Sequence, residues 1–218
     1  MKKKVIVICA VLCVLALGAG AVYAMANAQA DNMFRAGQLL QSRQEGQDPN
    51  RGGQVAATYR EHVITVETVA YQKGMNLLRS AEAAAGYQTD RDVIDRIVES
   101  IILREEAERL GLSATEEEIE EMVEDARKAY ALPDGKELLD AYCEGAGITI
   151  EDYYDLLREQ APGVIAQQKL KNEIGKQYCQ EHQLEYNHGN APEGMLEAEE
   201  DYINRLLEEH KDEIEYFI

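Results

Sequence analysis

Apolar positions along the chain recur at helical spacing over most of its length. Val93, Ile94, Ile97, Val98, Ile101 and Ile102 recur at steps of one and three, the widest stripe in the sequence, and predict a helix over residues 89–111. Gly111 ends it. Before it, Val66, Val69, Ala70, Leu77, Leu78 and Ala81 predict a helix over 66–85, opened by the Thr65 hydroxyl and closed by Gly86. After it, Thr115 with Glu116, Glu117 and Glu118 opens a helix through Ile119, Met122, Val123, Ala126 and Tyr130, with its acids at the positive end of the helix dipole. Pro133-Asp134-Gly135 predicts a turn, and residues 136–144 a short helix broken by Gly145 and Gly147.

Thr149-Ile150-Glu151-Asp152 has the form of a capping box, with Asp in place of the usual Glu. It starts a long helix through Tyr153, Leu156, Leu157, Ile165, Leu170, Ile174 and Tyr178, which Pro162-Gly163 should kink or interrupt. A loop over 187–194 precedes a final helix over 197–211. Strand signals are few. Val55-Ala56-Ala57-Thr58-Tyr59 and Val63-Ile64-Thr65 predict a small hairpin, and the alternating Ile214-Glu215-Tyr216 predicts a terminal strand able to pair with residues 55–59. The fold class is therefore mainly α, a multi-helix body with a small β-hairpin and a terminal strand.

The N-terminus follows a different pattern. Lys2, Lys3 and Lys4 precede an uncharged run from Val5 through Leu17 to Ala26, followed by overlapping Ala-x-Ala sites up to Ala30. These are the marks of a cleaved secretory signal, yet the run also has the length of a membrane-spanning anchor. Either way the lysines stay inside and the remainder faces out, in the cell envelope or secreted. Neither Cys9 nor Cys13 follows a small residue, which argues against lipidation. Residues 1–30 are read as this address, 31–54 as a polar tether, 55–186 as the helical domain, and 187–218 as a loop, helix and strand packing back on it.

Charge sharpens this division. The chain has 218 residues, with 22 Lys plus Arg against 41 Asp plus Glu, a formal charge of −19. The first 30 residues hold three lysines and no acid, so the remainder stands at −22. Such an acidic body lacks the basic face that nucleic acid requires.

Candidate chemistry is sparse. The four serines (Ser42, Ser80, Ser100, Ser113) fit no nucleophile elbow, and no phosphate loop or His-Glu-x-x-His is present. Cys179, His182 and His188 match no standard zinc spacing and are read as residues at a helix end. The run from Glu116 to Glu121 lacks a calcium-loop pattern and is read as a solvated helical face. No cofactor and no metal are expected. Cys143 and Cys179 could form a disulfide in an oxidising compartment, or remain two separate thiols on different helices.

The order of elements resembles the N-terminal chaperone domain of the SurA/PrsA group of exported foldases. The carriers are the leading segment ending in Ile64-Thr65 and the helix from Val93-Ile94 through Glu106-Ala107 to Gly111-Leu112. Thr115-Glu116-Glu117-Glu118-Ile119 and Gly147-Ile148-Thr149 follow in the same order, over about residues 55–178. Ile214-Glu215-Tyr216 resembles the short strand that returns to the domain in such proteins. The resemblance implies a protein that binds unfolded or partly folded exported polypeptides in an apolar cradle, with the membrane as a second partner through its N-terminus. Many members insert a parvulin-type prolyl isomerase before the C-terminal piece. Here only a short loop stands at that place, so no catalysis is expected. The alternative is an envelope module docking one dedicated partner. Leu77, Leu78, Leu156 and Leu157 are the candidate client contacts, because the members of an adjacent Leu pair cannot both point to one centre.

Overall fold

The computed structural model describes residues 26–46, 53–79, 89–187 and 191–218. The described residues form seven α-helices and one three-stranded antiparallel sheet. In chain order they are α1 (Ala26–Gly46), β1 (Val55–Tyr59), β2 (His62–Thr65), α2 (Val66–Arg79), α3 (Asp90–Arg109), α4 (Glu116–Tyr130), α5 (Pro133–Ala146), α6 (Ile150–Glu181), α7 (Met195–His210) and β3 (Ile214–Tyr216). Val5 and Leu17 lie outside the described residues, and Ala26 is the first residue of α1. Among the described residues, no helix is long and apolar enough to cross a membrane.

Helix starts follow local chemistry. Thr65 Oγ1 accepts from the Thr68 amide at 3.2 Å and opens α2. Thr89, Thr115 and Thr149 each close a reciprocal capping box, with Asp92, Glu118 and Asp152. Each box satisfies two amides that the first helical turn would otherwise leave without acceptors.

The sheet order is β2-β1-β3. The hairpin pairs Tyr59 with His62 and Thr58 with Val63. The terminal strand pairs with β1 as the alternation predicts, Ala57 opposite Tyr216 and Tyr59 opposite Ile214.

Three expectations need correction. Residues 31–46 are not tether but the larger part of α1, whose Met33, Ala36, Gly37 and Leu40 form a buried stripe. A Cβ on Gly37 would stand 2.1 Å from the Tyr142 carbonyl oxygen, and one on Gly145 2.0 Å from that of Phe34. The two helices thus touch backbone to backbone, and the glycines that weaken the apolar signal are what permit the contact. Second, Pro133-Asp134-Gly135 is the first turn of α5, with Pro at the start where its missing N–H costs nothing. Third, α6 runs unbroken through Pro162. Proline in a helix interior costs about 3 kcal/mol, and burial on both sides of it outweighs that.

That burial falls into separate clusters. Tyr153 and Leu157 of α6 join Met33, Leu40, Val123, Leu139 and Tyr142. Ala166, Leu170 and Ile174, further along the same helix, join Leu103 and Ala107 of α3. A third cluster seats the sheet on α3 through Tyr59, Ile64, Val93, Ile94, Val98 and Ile102. Pro162 and Gly163 stand at the joint between the first two clusters.

Candidate functional site

At that joint lies a cleft of about 680 Å³, bounded by the β1–β2 turn, α3 and the middle of α6. Its size falls within the range of ligand-binding clefts, roughly 300–1,000 Å³. The hairpin brings Glu61 and His62 to one end, and α3 supplies Ser100, Ile101, Arg104, Glu105 and Glu108. On the α6 side stand Glu159, Pro162, Gly163, Val164 and Ala166. Ile101 and Ala166 are buried and form an apolar floor. Gln167 Nε2 donates to Ser100 Oγ at 2.8 Å and to the Ser100 carbonyl at 3.2 Å, tying α6 to α3 across it. A Cβ on Gly163 would meet Arg104 Cδ at 2.9 Å, so the bare backbone there lets the arginine stem lie against α6.

A second, more polar cavity of about 500 Å³ lies beyond Glu105, between α3 and α7, lined among others by Arg60, Glu106, Arg109, Tyr202 and His210. Its walls are closed by ion pairs. Arg60 Nη1 donates to Glu105 at 2.7 Å and its Nε to Glu213 at 2.6 Å, and Glu213 also meets His210 Nδ1 at 2.7 Å. Hydrogen bonds from Arg60 and His210 hold the Glu213 carboxyl at a pKa of about 2. The Arg109 guanidinium likewise depresses Glu106, with Arg109 Nε at 2.6 Å and the Tyr202 hydroxyl at 2.5 Å. Burial, followed by the Glu105 charge, pushes the Tyr59 phenol up to about 12. These contacts lock the hairpin, α3 and the segment leading into the C-terminal strand together.

The four leucines are dispersed. Leu157 is fully buried at 0 % exposure, inside the first core cluster, and so is core and not a client contact. Leu78 and Leu156 are half-buried and pack against that same cluster. Leu77 belongs to α2, and its side chain lies outside the described residues. None of Leu78, Leu156 and Leu157 lines the cleft. Cys143 on α5 and Cys179 on α6 are buried free thiols. Burial pushes the Cys143 thiol up to about 11, which keeps it protonated and unreactive at neutral pH. Cys179 and His182 stand at the end of α6, with the His182 ring stacked 4.1 Å from that of Tyr178, while His188 lies outside the described residues. No metal-ligating cluster is found among the described residues.

The cleft residues come from three separated stretches, and no local pattern marks them. The one signal in the sequence is Pro162-Gly163 within a helical stripe, a local conflict of the kind that functional sites retain. No family model matches the chain, and neither a curated protein nor a solved structure is similar to it.

Proposed function

We propose that this chain is an exported, non-enzymatic, chaperone-like protein that holds unfolded or partly folded polypeptides on the outer side of the membrane, as its resemblance to the SurA/PrsA group implies. The observation that carries this reading is the cleft at the α6 joint. Its lining mixes small apolar and polar groups, which suits extended chains of varied sequence better than one rigid ligand. The route of the C-terminal chain agrees with the resemblance, because β3 returns to pair with β1. The chain passes from α6 to α7 within residues 182–194, too short a stretch for a parvulin domain of on the order of a hundred residues.

The test is suppression of aggregation. The full chain in lipid nanodiscs should slow the aggregation of several unrelated unfolded proteins at near-stoichiometric ratio, followed by light scattering. Protection of none of them, with retention of one specific envelope protein, would replace this reading with that of a dedicated docking module.

A further inference from the structure

We infer that the cleft accepts extended polypeptide segments in which a lysine or arginine stands beside small aliphatic side chains, an inference that rests on the polypeptide-binding reading above. Charge and shape both point to this occupant. Glu61 from the hairpin turn, Glu108 from α3 and Glu159 from α6 converge on the cleft, and all three are exposed. Among the described residues none of their carboxylates makes an ion pair or hydrogen bond. Two neighbouring polar side chains are already satisfied. Glu105 is held by Arg60 and His62, and Gln167 by Ser100.

The cleft's own permanent cation is Arg104, one charge against three carboxylates, so the unspent charge is negative. A bound cation would meet up to three carboxylates, whereas an acidic segment would meet like charge, which is how charged surfaces choose partners. The apolar half limits the rest of the ligand. Ile101 and Ala166 form a floor beside the Pro162 ring, of a size and polarity that suit Ala, Val or Leu side chains, and no Phe, Tyr or Trp lines the cleft.

Three short labelled peptides test this, sharing one Ala/Val/Leu sequence and carrying Lys, Gln or Glu at two positions. Binding to the full chain in nanodiscs is read by fluorescence anisotropy. The Lys peptide should bind about tenfold more tightly than the Glu peptide, with a gap that narrows as salt rises. The E61Q/E108Q/E159Q triple variant should reduce the gap to about twofold. E116Q/E117Q/E121Q, an equal charge change on the outer face of α4, should leave it intact. All six positions are exposed, so neither variant removes core packing. Equal binding of the three peptides, or a preference that survives the cleft variant, overturns the inference. If aggregation is still suppressed in either of those cases, the chaperone reading stands without it. If aggregation is not suppressed but the Lys preference depends on the cleft, the ligand class stands and the chaperone reading falls.

Discussion

Arg60 sits in the left-handed region (φ 51°) at the first position of a two-residue hairpin turn, a place glycine usually takes. A side chain there costs roughly 1–2 kcal/mol. Glycine would remove the strain and also the guanidinium that joins Glu105 of α3 to Glu213 beyond α7. The depressed Glu213 carboxyl gives this clasp a pH dependence of definite sign. Its folded pKa of about 2 lies below the ordinary 4.5. The stabilisation is therefore complete above pH 4.5 and is lost as the pH falls from there towards 2. Glu213→Gln should lower the Tm at pH 7, and the gap between variant and parent should close through that acid interval, as circular dichroism melts at a series of pH values would show. None of this was legible in the sequence. Arg60 and Glu213 are 153 positions apart, and local patterns carry no trace of such a partnership.

Among the elements, α1 and α6 depart furthest from what their sequences suggest. The caps were legible because a capping box is made by residues three apart, as Thr115 and Glu118 are. The first helix was not, because its inward stripe is built of Met33, Ala36, Gly37 and Leu40, half of them small. Smallness is read as lack of hydrophobic drive, although here it allows α1 to lie on α5 with no side chain between. Gly145→Ala should therefore destabilise the protein by about 3 kcal/mol, at the upper end of overpacking penalties, because the atom it would meet is backbone and cannot turn aside. Gly111→Ala is the control. Nothing lies within 4 Å of its Cβ position, and only the left-handed backbone (φ 72°) opposes it, at a cost of roughly 1 kcal/mol. Urea unfolding of both variants measures the difference. In α6 the reverse error arises. Pro162 reads as a kink or an interruption, yet Leu157 and Ala161 before it and Ala166 and Leu170 after it are all buried, so packing keeps the helix from being interrupted there.

At the scale of the molecule, the sheet joins the hairpin at residues 55–65 to the strand at residues 214–216. Ile214 and Tyr216 pack against the cluster that seats β1 on α3, and the Tyr216 hydroxyl donates to Asp95 while its ring lies under the Arg91 guanidinium. Deleting residues 211–218 should lower the Tm and raise binding of an apolar dye, with the helical circular dichroism largely kept, since the backbone hydrogen bonds of β3 go to β1 and not to any helix. The alternation at Ile214-Glu215-Tyr216 made this pairing legible. The cleft was illegible because Glu61, Glu108 and Glu159 become neighbours only once the hairpin, α3 and α6 have assembled.

The central position of β1 also sets an order in time. A chain made from its N-terminus forward produces β1 and β2 early and can close the hairpin at once, because its loop is short. The other side of β1 has no strand until residue 216 exists, more than 150 residues later. Contacts of such separation form late, after a large loss of chain entropy. Until then β1 presents an open edge to any passing extended chain, so the last strand to appear decides when this protein stops being sticky itself.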